Sequence, residues 1–229
     1  MSKNMPDKFL RTFGYVLRRM NYGEADRILN ILTPAGKFSA MAKGVRKEKS
    51  KLAGGIEMFS LIDFNIHQGR SDLGIVTGAK MMKYYSEILK DYNRMEMTAE
   101  FLKKINLVSE HSDAEDYFNI LGQSLVALNS GFDIKLIEAW FLLNLARASG
   151  EEINLYRDVA GEKLEIDLKY DFDNLELAFV VRENGEFSAD EIKMLRLIIT
   201  NDFNVIQRVK VSDEIVLKVL RFAKIISKM

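Results

Sequence analysis

The chain has 229 residues, of which 48% are hydrophobic and 29% charged, a composition typical of a folded globular protein. It has no cysteine and only two histidines, which excludes disulfides, thiolate catalysis, iron–sulfur clusters and cysteine-based zinc sites. The formal net charge is zero, yet residues 1–80 hold 14 basic and 7 acidic residues, and the remainder holds 19 and 26. This imbalance indicates that the N-terminal part binds an anion, and nucleic acid is the usual large one.

Five strands are predicted in the first 80 residues, at about 11–19, 25–33, 36–43, 56–67 and 73–80. Apolar residues alternate with polar ones in the third and fourth of them, and glycine-containing turns separate the segments. Five short strands with uneven loops favour a small closed barrel, because an open sheet of this size would leave long edges unprotected.

Helices are predicted from about residue 84 onward, where apolar residues recur at spacings of three and four. Ser112 with Glu115 and Ser188 with Glu191 are typical of capping boxes, and Asp133 is the predicted N-cap of a helix over 134–148. That helix is apolar nearly all round, which predicts the buried centre of a bundle. Further helices are predicted at 189–199 and 213–227, and alternating apolar residues within 153–187, at 164–168 and 175–181, predict a small β insertion.

A basic, glycine-flanked loop leaves the third strand. Residues 43–51 hold five cations: Lys43, Arg46, Lys47, Lys49 and Lys51. Such a loop can wrap a phosphate backbone and release condensed counterions. The alternative is a solvated loop that keeps the protein soluble. Tyr22, in the turn between two basic strands, is the best-placed aromatic residue for stacking on a base, with a structural role as its alternative.

Signs of enzymatic chemistry are absent from the sequence. It has neither a P-loop nor a glycine-rich dinucleotide-binding motif. His67 and His111 lie 44 positions apart in unlike segments, and the acidic residues of the predicted barrel have no spacing typical of a metal site. We therefore expect a protein that is not an enzyme and needs no cofactor.

No apolar run reaches the roughly 18–20 residues that a membrane span needs. The N-terminal segment MSKNMPDKF also lacks the apolar core of a secretory signal. These two observations predict a cytoplasmic protein without a membrane partner.

Several motifs in residues 10–80 resemble the N-terminal signature of the RecO family of bacterial DNA repair and recombination mediators. They are the segments Tyr15-Val16-Leu17, Tyr22-Gly23-Glu24-Ala25-Asp26-Arg27, Leu32-Thr33, Gly36, and Ala42-Lys43-Gly44-Val45-Arg46-Lys47 followed by Ser50-Lys51-Leu52. The strand at 56–66 and the strand start at Asp72-Leu73 continue the pattern in order. The helical remainder is similar in layout but carries weaker motifs.

The resemblance implies an α+β protein, with an N-terminal OB-fold five-stranded barrel (domain 1–80) followed by an α-helical domain (81–229) that has a small β insertion. It implies binding of single- and double-stranded DNA, annealing of complementary strands, and help in loading RecA recombinase onto DNA coated by single-stranded-DNA-binding protein. The implied partners are RecR, the C-terminal tail of the coating protein and, indirectly, the RecA filament. A nucleoid-associated location follows.

One departure from the family concerns zinc. Many RecO proteins carry a four-cysteine zinc module in the helical domain, whereas the corresponding region here, residues 155–164, contains no cysteine. We expect the β insertion at 153–187 to supply a packed unit in place of that module.

The predicted DNA-binding residues are the basic residues of the barrel: Arg18, Arg19, Arg27, Lys37, Lys43, Arg46, Lys47, Lys49 and Lys51. Two alternatives stay open. One is a non-enzymatic adaptor whose basic barrel binds an acidic peptide or another protein. The other is an RNA-binding OB-fold protein.

Overall fold

A computed structural model describes residues 8–69, 71, 73–108 and 114–227, with the side chain of Lys8 left out. The fold class is confirmed: a closed five-stranded barrel of OB type is followed by helices and a small second sheet. The chain forms two compact units, residues 1–130 and 131–229. The predicted domain boundary at residue 80 lies within the last strand of the barrel, which ends at Tyr84, whereas the division by packing falls after residue 130. The predicted boundary stays a prediction.

The barrel contains β1 (Lys8–Tyr22), β2 (Asp26–Thr33), β3 (Gly36–Ala42), β4 (Ser60–Gln68) and β5 (Leu73–Tyr84). Its order is β1-β2-β3-β5-β4, and β1 closes it by pairing with both β2 and β4. All neighbours are antiparallel except β3 and β5. Closure leaves no free sheet edge, as the sequence pattern predicts.

The barrel interior is filled by the alternate apolar residues of the strands, among them Leu29, Ile31, Ile62 and Phe64, each 0% exposed. Gly14 allows β2 to approach closely, because a Cβ atom there would lie 2.6 Å from Ile31 Cγ2. The inner and outer faces of each strand are therefore fixed by packing.

Several strand boundaries differ from the prediction: β1 ends at Tyr22 rather than 19, β5 ends at Tyr84 rather than 80, and two strands begin elsewhere. β1 begins at Lys8 rather than 11, because its first residues pair with β4 from Gln68 backwards. β4 begins at Ser60 rather than 56. Ile56 is buried within the preceding loop, and Phe59 has a φ of 60°, which interrupts extended backbone before the strand.

The first unit also contains α1 (Tyr92–Val108) and α2 (Ala114–Asn129), after a 3₁₀ turn at Ser86–Lys90. The ring of Tyr15 on β1 lies 4.9 Å from that of Phe118 on α2. A side chain at Gly122 would collide with the Tyr15 hydroxyl, 2.9 Å from a built Cβ. Burial, and then the neighbouring Tyr85, raise the pKa of Tyr15, so it stays a neutral tyrosine. The predicted cap Ser112 lies outside the described residues.

The second unit contains α3 (Ile134–Ala148), α4 (Ala189–Thr200), α5 (Phe203–Ile206) and α6 (Asp213–Ile226). The Asp133 cap is confirmed, since its carboxylate accepts from Leu136 N at 2.8 Å. α3 packs against α4 and α6, and nine of its residues are buried, so it forms the centre of this unit as predicted. No strong periodicity marks the four-residue α5, and it was not predicted.

The β insertion forms a three-stranded sheet of β6 (Asn154–Asp158), β7 (Tyr170–Asp173) and β8 (Ala178–Val181), in the order β6-β8-β7. Strand predictions at 164–168 and around Leu175 were wrong. Ile166 is 66% and Leu175 93% exposed, so the alternation there has no buried face. The buried material is aromatic: the rings of Tyr170, Phe172, Phe187 and the α6 residue Phe222 surround Phe179.

The chain has no cysteine for a four-cysteine zinc site. We expect purified protein to contain less than about 0.1 equivalent of zinc, and a chelator to leave its melting temperature unchanged, because a structural zinc site contributes folding energy only where its ligands exist. Elemental analysis and thermal melts with and without chelator check this. Stoichiometric, tightly held zinc would contradict it.

The predicted capping box at the start of α4 is confirmed, and its carboxylate is nearly buried. Glu191, 5% exposed, accepts from Ser188 N at 2.8 Å, from the Ser188 hydroxyl and from Lys218 Nζ at 2.9 Å. Burial raises the pKa of Glu191, but the hydrogen bonds from Ser188 and Lys218 together outweigh it and lower the pKa to about 2.

A pH-dependent loss of stability follows. Because the folded-state pKa of Glu191 lies below its unfolded value of roughly 4.3, its ionised form stabilises the fold above that value. The contribution disappears as the pH falls toward 2. Unfolding titrations should show that Glu191→Gln is less stable than the wild type by on the order of 2 kcal/mol at neutral pH, with the gap narrowing between about pH 4.5 and 2. A gap independent of pH would refute this role.

No helix in the described ranges is both long and apolar enough to cross a membrane. Within the same ranges, no group of three or more His, Asp or Glu side chains is placed to hold a metal ion.

Candidate nucleic-acid interface

The basic loop after β3 is anchored to the barrel. Val45 is 3% exposed and belongs to the barrel core, and Leu52 packs against that core. Two backbone turns shape the segment between them: Lys47 N donates to Gly44 O at 3.1 Å, and Ser50 N to Lys47 O at 3.0 Å. The apolar residues therefore point inward, and the five loop cations are left exposed.

The same loop is bonded to the β1–β2 turn. Arg46 N donates to Ala25 O at 2.9 Å, and Arg46 Nη1 donates to Gly23 O at 3.2 Å. On the other side of the turn, Gly44 N donates to Asp26 Oδ1 at 2.6 Å. Gly44 has a φ of 62°, a conformation that glycine adopts without a steric penalty. These bonds fix the basic segment at one end of the barrel.

Two strand arginines lie at this end of the barrel. Arg19 pairs with Leu29, and Arg27 pairs with Ala42. Paired residues project on the same side of a sheet, so both arginines lie on the inner face of their strands, at the end where the barrel opens. Arg27 Nε donates to Asn21 Oδ1 at 3.2 Å, and Arg19 Nη1 lies 3.4 Å from Glu57 Oε2. We call the whole set the basic mouth: Arg19, Arg27, Lys43, Arg46, Lys47, Lys49 and Lys51.

The remaining two predicted residues lie elsewhere on the barrel. Arg18 has the opposite orientation to Arg19 and shares the outer face with its partner Asn30. Lys37 pairs with Leu32 near the β2–β3 turn. Leu32 lies about 16 Å along β2 from Arg27. Its Nζ donates to the carbonyl of Asn106 on α1 at 2.7 Å, a structural contact.

The mouth keeps an excess of positive charge. Its seven cations share these segments with four carboxylates, Glu24, Asp26, Glu48 and Glu57. Asp26 is used to hold Gly44, and Glu57 lies beside Arg19. Tyr22, 53% exposed at the β1–β2 turn, leaves its ring accessible at the same end. The arrangement suits a polyanion that approaches the open end of the barrel.

Sequence reasoning missed the two residues that position the loop. Val45 supplies its buried anchor, and Asp26 supplies the acceptor for Gly44. A signal existed for each: a single apolar residue within the basic run, and an aspartate at a strand start opposite a glycine. Neither signal identifies what the residue contacts. Asp26 and Gly44 lie 18 positions apart, and the core that covers Val45 is assembled from several strands.

Two family models match the chain. The model described as Recombination protein O N terminal matches residues 5–85, and the one described as Recombination protein O C terminal matches residues 98–224. The first covers the whole barrel, including the basic mouth. The second covers most of the helices and the inserted sheet.

Curated proteins described as DNA repair protein RecO are similar to the chain. One from Dehalococcoides mccartyi (strain CBDB1) is 29% identical over 90% of this chain and 84% of its own length. One from Rubrobacter xylanophilus is 37% identical over 61% of this chain, and one from Roseiflexus sp. (strain RS-1) is 36% identical over 68%. The chain spans only 57% and 55% of these last two proteins.

Proposed function

This chain belongs to the Recombination protein O family, and from that membership we propose that it is a DNA-binding mediator of repair and recombination. It binds single- and double-stranded DNA through the basic mouth and catalyses no covalent change. The observation that carries the proposal is the anchored loop, whose exposed cations are held beside Arg19 and Arg27 by Val45 and Asp26.

Contacts to phosphate explain what such a mouth recognises. Lysine and arginine side chains neutralise phosphates whatever the base sequence, so we expect little sequence preference and a steep loss of affinity with salt. The proposal concerns the seven residues of the mouth. For Arg18 and Lys37, contact with DNA stays a prediction, and Lys37 is already engaged by α1.

Annealing of complementary strands follows from charge neutralisation. Repulsion between phosphates opposes the approach of two strands, and a basic surface that binds one strand lowers that repulsion for the second. We extend the proposal to loading of RecA recombinase onto DNA coated by single-stranded-DNA-binding protein. RecR and the C-terminal tail of the coating protein are the proposed partners, and the nucleoid is the place of action. Family membership supports this extension.

The proposed division of labour assigns DNA to residues 1–80 and partner proteins to residues 81–229. A fluorescence annealing assay tests the core of the proposal. Full-length protein should accelerate pairing of complementary oligonucleotides at low salt, and added salt should abolish the effect. No acceleration at any protein concentration would refute it.

Two competition experiments separate this function from its alternatives. Unlabelled DNA, RNA of equal length and an acidic peptide are titrated against a labelled DNA oligonucleotide bound to the protein. If the protein is a DNA mediator, unlabelled DNA should displace the labelled oligonucleotide at a lower concentration than RNA or the peptide does. Preferential release by RNA would favour the RNA-binding alternative, and release by the peptide at equal charge concentration would favour the adaptor.

A further inference from the structure

The outer surface of β1, β4 and β5 carries exposed aromatic residues that the basic mouth does not use. Phe9, Arg11 and Phe13 alternate on β1, and the intervening Leu10 packs against the barrel core. Phe9 is 76% exposed and Phe13 47%. Their partners on β4 are His67 and Asp63. We call this the outer face: Phe9, Arg11, Phe13, Asp63, His67 and Lys80.

A fixed cation lies between the two phenylalanines. Arg11 Nη2 donates to Asp63 Oδ2 at 2.6 Å, and Arg11 Nε lies 3.1 Å from Asp63 Oδ1. The hydrogen bond from Arg11 lowers the pKa of Asp63, so the pair stays ionised. Asp63 is largely covered, but the Arg11 side chain remains 74% exposed. The guanidinium is therefore held in place and still accessible.

The spacing of these groups suits an extended strand with unpaired bases. A rise of about 3.3 Å per residue places Phe9 and Phe13 about 13 Å apart, with Arg11 midway. The ring of His67 lies 4.7 Å from that of Phe9 and enlarges the aromatic surface there. Lys80 pairs with Asp63 across β4 and β5 and adds a second exposed cation.

We propose that the outer face is a second nucleic-acid site, selective for single strands, in which bases stack on Phe9 and Phe13 and phosphates bind Arg11 and Lys80. Unpaired bases expose the ring faces that such stacking needs, whereas bases in a duplex do not. Two cations against one carboxylate favour a polyanion over an apolar protein surface. Because only two cations contact phosphates, binding releases few counterions. The affinity of this site therefore depends on salt far less than the affinity of the mouth does.

The two sites are separate on the barrel. Phe13 precedes Arg19, the residue of the basic mouth that lies on β1, by six residues, about 20 Å along the curving strand. One chain can therefore hold two strands at once. This inference rests on the proposed function and deepens it, because annealing needs two strands brought together by one protein.

The test compares the wild type with the double variant Phe9→Ala, Phe13→Ala, using an oligothymidine of about 4 nucleotides, which at roughly 3.4 Å per nucleotide is too short to occupy both sites. Wild type should bind two oligonucleotides per chain by calorimetry, and the variant one. The annealing rate should fall at least about 10-fold. Phe9→Tyr with Phe13→Tyr should restore both, since tyrosine stacks equally well. Tyr92→Ala, which removes an equally exposed aromatic residue on α1, is the matched control.

Three outcomes overturn the inference: a wild-type stoichiometry of one, unchanged stoichiometry and annealing in the alanine variant, or a change confined to self-association, which would assign the face to a second copy of the chain. None of these outcomes decides the proposed function, which is tested separately with variants of the basic mouth. If the mouth variants lose DNA binding, the proposed function stands even when substitutions in the outer face have no effect.

Discussion

Charge reversal in the anchored loop should nearly abolish binding of duplex DNA at moderate salt. We expect the triple variant Arg46→Glu, Lys47→Glu, Lys49→Glu to lose on the order of 500-fold in affinity for double-stranded DNA at about 0.1 M salt, because three phosphate contacts each release about 0.9 of a counterion. The slope of log affinity against log salt should become shallower by about 3. Fluorescence anisotropy across a salt series measures both quantities.

A matched variant separates this site from a general effect of net charge. Lys135→Glu, Arg208→Glu, Lys210→Glu changes the charge by the same amount at exposed positions of the second unit, and we expect it to leave the salt slope close to the wild-type value. Circular dichroism of both variants verifies folding. If the loop variant and the control lose affinity equally, the loop is not the binding site.

The aromatic cluster of the second unit should be the part of the protein most sensitive to truncation. Phe179 is 0% exposed, and its ring centroid lies within 5.3–6.3 Å of those of its neighbours, Tyr170, Phe172, Phe187 and Phe222. Phe179→Ala leaves a cavity among these rings and should lower the free energy of unfolding by about 3–5 kcal/mol. Urea denaturation followed by circular dichroism measures the change.

Two further substitutions define the cause of that effect. Phe179→Leu keeps most of the buried volume and should cost less than the alanine variant. Leu175→Ala, in the β7–β8 turn of the same sheet, removes a side chain that is 93% exposed and should change stability by less than about 0.5 kcal/mol. Equal costs for Phe179→Ala and Leu175→Ala would show that the cluster does not hold the unit together.

Features with a local cause were predictable from the sequence. The barrel strands follow from alternation, because residues such as Ile62 and Phe64 fill a common interior. The caps at Asp133 and Ser188 follow from short-range hydrogen bonds within three residues. The buried face of α6 follows from the spacing of Val216, Val219 and Ala223, all of which are buried.

Features that depend on distant partners were not predictable in this way. Alternation at Leu164 and Ile166 indicates a strand, yet no partner surface covers Ile166, and the backbone there forms turns. Arg18 and Arg19 are equivalent in a list of cations. Only the register with β2 places Arg19 at the mouth and turns Arg18 to the outside of the barrel, beside Asn30. Lys37 counts as a free cation in the sequence but lies against a carbonyl 69 positions away.

The outer face illustrates the same limit. Phe9 precedes the predicted start of the first strand, so its alternation with Arg11 and Phe13 was left out of the pattern. The ion pair that holds Arg11 joins residues 52 positions apart. Pairing of β1 with β4 from Lys8 onward is what turns these three side chains outward together.

A lysine-reactivity footprint tests the central claim most directly. The full-length protein is modified by an amine-reactive reagent with and without a saturating DNA oligonucleotide, and the sites are quantified by mass spectrometry. We predict strong protection of Lys43, Lys47, Lys49 and Lys51, and none of Lys135 and Lys210 in the second unit. Full reactivity of the four loop lysines in the presence of bound DNA would contradict the account.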